Sequence, residues 1–245
     1  TYMNLPRIAI IILQNKNRDD TRACLRSVKN IQYPLSTLPL TKGETKRGFS
    51  VIVVNNDKPY SAQILQKEFG DFITLIQNKN NLGFAEGSNV GISAALADKK
   101  TDAGFLLNND TIVDPNILHE MAKSIQPSPY PSPSKGEGTI GMVAPRMMQY
   151  HDRAEIDNLG IQLMSSGLPF NRHNTKAGLF CPTGGAALYS RKLLETIGLF
   201  DSRFYCYTED LDLGFRARLM GFKADYTSSA IVYHKGSAAT SPMSD

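Results

Sequence analysis

The stretch Gly104-Phe105-Leu106-Leu107-Asn108-Asn109-Asp110-Thr111 decides how this chain reads. A short apolar run, long enough for the end of a buried strand, breaks abruptly into two amides and a carboxylate. Asp114-Pro115 then opens a helical pattern over Asn116–Ser124. A buried strand that ends in Asn-Asn-Asp puts those groups at the carboxyl edge of a sheet, where open α/β sheets bind ligands. One hard oxygen ligand there suits Mg²⁺ or Mn²⁺ shared with phosphate oxygens, since such ions take only one or two protein carboxylates. The same three residues would equally serve a strand-to-helix turn, so the neighbouring elements have to decide.

Upstream the pattern repeats. Ile8-Ala9-Ile10-Ile11-Ile12-Leu13 is apolar throughout, as in a strand covered on both faces, and ends in Gln14-Asn15-Lys16-Asn17. Asp19-Asp20-Thr21 caps a helix to about Asn30 with Cys24, Leu25 and Val28 on one side. Ser50–Val54 is a second strand, ending in Asn55-Asn56-Asp57; a helix over Ser61–Phe69, a strand over Ile73–Ile76 and a helix from Ala85 to about Asp98 follow. This β-α-β-α-β-α-β order predicts an α/β domain with a mainly parallel central sheet flanked by helices. Polar residues gathered at one sheet edge read as a site rather than as scattered turns. Downstream, Ile140–Pro145 and Ile156–Met164 read as strands, and Thr183–Tyr189 starts with small residues and runs into another. Ser190–Ile197 is a helix stopped by Gly198. Thr208 precedes a helix over Glu209–Met220 with Leu211, Phe215 and Leu219 on one face, and Ala230–Tyr233 is a last short strand.

The 245 residues are ample for one large α/β domain, or for one domain plus a small extension. Against 23 acidic residues stand 27 basic ones, a mild net charge of +4 that fits an anionic small ligand or membrane surface. No basic stripe interleaved with aromatics marks a nucleic-acid binder. Three scattered cysteines without a CxxC exclude a disulfide scaffold or zinc site and point to a reducing cytosol. The apolar run at Ile8–Leu13 is far too short to span a membrane and no signal-like segment precedes it, so a soluble cytoplasmic protein is expected, with peripheral contact at the inner face of the membrane left open. The low-complexity segments 34–47 and 127–138 share Lys-Gly-Glu, at Lys42-Gly43-Glu44 and Lys135-Gly136-Glu137. They read as inserted surface loops of related origin, or as a coincidence between two Pro- and Ser-rich loops.

Several segments, in order, carry a resemblance: Ile8–Leu13 with Asn15-Lys16-Asn17; Val53-Val54-Asn55-Asn56; Asn81-Leu82-Gly83-Phe84-Ala85 with Asn89 and Gly91; Leu106–Thr111; Gly184-Gly185-Ala186; and Gly198-Leu199-Phe200-Asp201 with Phe204, Tyr207, Glu209-Asp210, Asp212-Leu213 and Arg216. Together they resemble glycosyltransferase family 2, inverting enzymes of the GT-A fold, and within it the bacterial rhamnosyltransferase-like members. The resemblance runs from Ile8 to Thr240 and implies a single domain with a nucleotide-binding half over about 1–110 and an acceptor and catalytic half over about 111–240.

It implies a sugar moved from a nucleotide diphosphate sugar, with dTDP or UDP as carrier, to a glycan or lipid-linked acceptor in cell-surface polysaccharide synthesis. A dTDP-activated deoxysugar such as rhamnose is the donor it favours. Asn15, Asn55 and Gly83 fall on nucleotide-binding positions. Asn55 replaces the usual aspartate, and its amide oxygen still accepts from a base N–H without the charge. Asn108-Asn109-Asp110 falls on the metal motif, leaving Asp110 to hold Mg²⁺ or Mn²⁺ and Asn108 to contact ribose. His234 matches a C-terminal segment that completes the metal shell, and Gly184 and Gly185 lie against the donor sugar. Glu209-Asp210 matches the acidic pair, with Asp210 the general base. Acids in a first helical turn also stabilise the helix by about 0.3–1 kcal/mol, but that leaves the surrounding Gly-Leu-Phe-Asp…Phe…Tyr frame unexplained. The substitutions at Asn55 and Asn108 keep a competing reading open, a non-catalytic nucleotide- or sugar-binding module. A nucleotidyltransferase ranks last, because Gln14-Asn15-Lys16-Asn17 contains no glycine.

Overall fold

A computed structural model describes residues 5–33, 48–125 and 138–236. Most of both low-complexity segments lies outside the described residues, so the reading of inserted loops is not addressed by them.

The elements follow in chain order as β1 (Ile8–Gln14), α1 (Arg18–Lys29), β2 (Phe49–Asn55), α2 (Pro59–Phe69), β3 (Thr74–Gln77), α3 (Gly83–Ala97), β4 (Ala103–Asn108), β5 (Thr111–Val113), α4 (Ile117–Ile125), β6 (Ile140–Gln149), β7 (Ile156–Asn158), β8 (Ile161–Leu163), β9 (Pro169–Asn171), β10 (Ala186–Ser190), α5 (Arg191–Ile197), α6 (Glu209–Leu219) and β11 (Lys223–His234). Among the described residues the main sheet runs β3-β2-β1-β4-β10-β6-β11-β5, with β7 paired to β6. The first four strands are mutually parallel, β11 is parallel to β6, and β10, β5 and β7 run against their neighbours. This is the mixed, mainly parallel sheet of the GT-A fold.

β1 shows why the order holds. Ile8, Ile10 and Ile12 bury into a cluster with Cys24 and Leu25 of α1, Leu65 of α2 and Leu118 of α4. Ala9 and Ile11 bury on the opposite face with Ile92 of α3, Leu193 of α5 and Leu213 of α6. A strand walled on both faces needs the unbroken apolar run that the sequence supplies.

The sheet must also curl. β4 and β5 are separated only by Asn109 and Asp110, yet β5 pairs at the far edge, four strand positions from β4. At about 4.8 Å per position a flat sheet would separate them by roughly 19 Å. Three residues reach at most about 11 Å. The turn at Asn109-Asp110 therefore bridges from the middle of the sheet to its returning edge, and it lies where the end of β11 arrives.

Three sequence readings need correction. The Ile156–Met164 strand is two short strands, β7 and β8, of which β8 pairs with β9 outside the main sheet. The last strand is far longer than Ala230–Tyr233, because β11 continues back to Lys223 across a register shift between Thr227 and Ile231. The Phe215 and Leu219 stripe of α6 faces outward, Leu219 being 84% exposed, while Leu213, Gly214 and Ala217 are buried. A Cβ on Gly214 would lie 2.7 Å from Cys181 Sγ, so this helix packs by its smallest residues. The start of α1 also differs in detail: Asn17, at φ 34°, takes the capping position, with no capping hydrogen bond from its side chain.

Candidate active site

Asp110 and His234 meet through strand pairing. His234 is opposite Thr111 in the β5–β11 ladder, and Lys235 N donates to Asp110 O at 3.0 Å. That register brings His234 Nε2 to 3.4 Å from Asp110 Oδ2, while Nδ1 lies 3.0 Å from Asp157 Oδ2 on β7. Burial works against a charged imidazole, but the two carboxylates outweigh it and raise His234 to about 10. Asp110 Oδ1 and His234 Nε2 are buried without a hydrogen-bond partner among the described residues. One carboxylate oxygen and one imidazole nitrogen, both unsatisfied and on touching side chains, fit a divalent cation that draws its other ligands from phosphate and water. Among the described residues no cage of three or more such side chains could hold a metal unaided.

The turn carrying Asp110 is fastened from below. Asn109 Nδ2 donates to Thr21 Oγ1 at 2.9 Å, and Thr21 in turn bonds the fully buried Gln14 at the end of β1. Thr111 Oγ1 donates to Asn108 O at 2.6 Å. Lys235 Nζ pairs with Asp20 of α1 at 2.5 Å.

A cleft of about 490 Å³ runs from this corner to the start of α6. Asn108, Asp157, His234, Gly184, Gly185, Glu209 and Asp210 all line it, whereas Asp110 does not and reaches it only through His234. Asp210 is clamped: Oδ2 accepts from Gly184 N at 2.8 Å and Oδ1 from Leu211 N at 2.8 Å. Burial pushes its carboxyl up, opposed by these backbone donors and the Thr183 hydroxyl. Glu209 is 5% exposed, its Oε2 has no hydrogen-bond partner among the described residues, and burial together with the charge of Asp210 pushes it up to about 7. Gly185 is tied to the metal-side turn, since Asn108 N donates to its carbonyl at 2.9 Å. A Cβ there would only touch Asn108 and Met147 at 3.4–3.5 Å, so the missing side chain is space left in the cleft.

The remaining sequence candidates lie elsewhere. Asn15 is exposed just beyond β1. Asn55 is fully buried, and its Nδ2 donates to Gln77 Oε1 at 2.7 Å and to the carbonyls of Asp57 and Lys58. Gripping a base with it would require that loop network to open. Gly83, at φ +77°, is where α3 meets the segment before α6: a Cβ would lie 2.4 Å from Tyr205 O, and Phe84 N donates to that same oxygen at 2.7 Å. None of these three lines the cleft.

Residues to which the sequence reading gave no role in the site also line it. Tyr207 and Thr208 both hold left-handed backbone, φ 74° and 70°, immediately before the acidic pair. Tyr207 is nevertheless 69% exposed, so a strained bulky residue gains little from burial. Phe170 of β9 is half exposed on the same rim. Asp157 carried no signal beyond being an acid inside an apolar stretch.

The mixed, curled α/β sheet is that of the GT-A fold, and its cleft is lined by His234, which touches Asp110, and by the clamped Asp210. The chain belongs to the glycosyltransferase-like family 2, whose profile matches residues 6–242. It is 23% identical over 221 residues to the low-salt glycan biosynthesis hexosyltransferase Agl10 of Haloferax volcanii, covering 87% of this chain and 62% of that protein. The mannosyltransferase PcManGT from Pyrobaculum calidifontis, solved with GDP-Man and Mn²⁺, superposes with a TM-score of 0.65 at 15% identity, over 96% of this chain and 59% of that one. GalNAc-T7 with UDP, GalNAc and Mn²⁺ gives 0.70 at 14% identity, over 94% and 44%, and S. aureus TarS residues 1–349 gives 0.60 at 16%, over 93% and 60%. The chain thus spans about 62% of the curated relative's length. No helix among the described residues is long and apolar enough to cross a membrane.

Proposed function

We propose that this chain is an inverting glycosyltransferase that moves a hexose or deoxyhexose from a nucleoside diphosphate, with UDP or dTDP as carrier, to an acceptor hydroxyl of a glycan or lipid-linked glycan. The observation that carries the reading is the single cleft joining His234, which touches Asp110, to Asp210. The hexosyltransferase and mannosyltransferase names of its relatives support the sugar class. The low-salt glycan role of the first supports polysaccharide assembly.

Asp110 and His234 would hold Mg²⁺ or Mn²⁺, which when bound neutralises charge on the departing diphosphate. Asn108, which lines the same cleft, would contact the nucleotide ribose. Gly184 and Gly185 keep the cleft wall low for the donor sugar. Asp210 accepts the proton of the acceptor hydroxyl as its oxygen bonds the anomeric carbon from the side opposite the leaving group. The anomeric C–O bond breaks and its electron pair leaves with the diphosphate. Two backbone amides fix the Asp210 carboxylate before the acceptor arrives, so little reorganisation is needed at the moment of transfer. The half-exposed rings of Tyr207 and Phe170 suit the apolar faces of acceptor sugars.

The test is Mn²⁺-dependent release of nucleoside diphosphate from a panel of UDP-, dTDP- and GDP-sugars. Turnover above the metal-free rate supports the enzyme. Nucleotide binding without any turnover, with or without simple glycoside acceptors, would favour the non-catalytic binding module.

A further inference from the structure

Asp157 has no part in the chemistry above, yet the fold aims it deliberately. β7 pairs with β6 at Met147↔Asn158 and Met148↔Ile156. Two steps along β7 therefore match one along β6, and Asp157 is the extra residue of a β-bulge. Bulges bend a strand locally and re-aim a side chain, and they gather next to active sites. On the far side of β6, β11 places His234 opposite Gln149. From the bulge Asp157 reaches across β6 and puts Oδ2 3.0 Å from His234 Nδ1.

We propose that Asp157 is a positioning residue for the metal site: by accepting the Nδ1–H bond it fixes the ring orientation and the tautomer of His234, leaving the Nε2 lone pair directed at the corner it shares with Asp110. This rests on the metal reading of Asp110 and His234 given above. An imidazole can present only one lone pair when neutral, and which nitrogen carries it is set by the bond made at the other. Carboxylate partners of metal-bound histidines are typically worth 10–100-fold in metal affinity. The geometry here supplies that partner, with Nε2 buried and without a hydrogen bond among the described residues. A bulge residue pointing to solvent would have no reason to be held this way.

The experiment titrates Mn²⁺ calorimetrically into the protein in the presence of UDP, dTDP or GDP, and records the ¹⁴N coupling of bound Mn²⁺ by pulsed electron paramagnetic resonance. Asp157→Ala should weaken Mn²⁺ binding 10–100-fold and diminish the ¹⁴N coupling, while affinity for the nucleotide without metal stays as in the parent. Asp157→Asn is isosteric and covers the case in which the alanine variant does not fold. Its amide can donate to Nδ1 and stabilise the wrong tautomer, so a comparable loss is expected. An Asp157→Asn protein with parental Mn²⁺ affinity and ¹⁴N coupling overturns the proposal. If His234→Ala lowers Mn²⁺ affinity and neither Asp157 variant does, Asp157 is dispensable and the metal reading stands. If the parent itself binds no Mn²⁺, or binds it without ¹⁴N coupling, the metal reading fails and takes the proposal with it.

Discussion

Replacing Glu209 by Gln should change how stability depends on pH, by an amount the structure sets. The side chain is 5% exposed, its Oε2 has no hydrogen-bond partner among the described residues, and burial holds its carboxyl at about 7 against an ordinary 4.5. A raised carboxyl binds its proton more tightly folded than unfolded, so its contribution is full below 4.5 and is lost as pH rises through 7. Between pH 5 and pH 8 that loss is about 2.5 kcal/mol for full burial. Water in the adjoining cleft screens part of the charge, which brings the expected figure to between about 1 and 2.5 kcal/mol. The amide in the variant carries its own burial cost, but that cost does not depend on pH. The quantity to measure is therefore the difference in unfolding free energy, variant minus parent, at pH 8 less the same difference at pH 5, from urea denaturation. It should be positive by that amount. A value indistinguishable from zero, or negative, would show that Glu209 is solvated as an ordinary surface acid and would refute the account of it as a buried carboxyl held up by desolvation.

Three further outcomes follow from the same geometry. Asp210→Asn should lower transfer about 10²–10⁴-fold while leaving Mn²⁺-supported nucleotide binding unchanged, which steady-state kinetics and calorimetry would separate. Gly83→Ala should cost at least about 1–3 kcal/mol, because the backbone is left-handed and the added carbon meets the Tyr205 carbonyl; chemical denaturation reads this directly. Leu219→Lys should change stability by less than about 0.5 kcal/mol, whereas Leu213→Ala on the buried face of α6 should cost about 2–5 kcal/mol.

The apolar run at Ile8–Leu13 and the break at Asn108-Asn109-Asp110 made the parallel half of the sheet legible, because a strand walled on both faces cannot hide its composition. The helix beginning at Glu209 was legible as a helix and misread as to face. The pattern of large apolar residues drew attention to Phe215 and Leu219, while close packing against Cys181 selected Gly214 instead. Periodicity weighs hydrophobicity and cannot see that a helix needs small residues to approach a neighbour. The nucleotide-side candidates show the opposite difficulty. Asn55 occupies the expected strand end, but its amide is spent on its own loop. Asp157 could not be found at all, since a three-residue strand with a bulge leaves no periodic trace.

The β5–β11 pairing has a consequence for biogenesis. The acid at residue 110 emerges early, in the turn between β4 and β5, whereas the imidazole that meets it arrives on the final long strand of the described chain. On the proposed metal reading, cation affinity is acquired only when that strand has docked. Mn²⁺ binding would then report completed assembly during synthesis, and a ribosome-bound fragment lacking β11 would hold no ion at this corner.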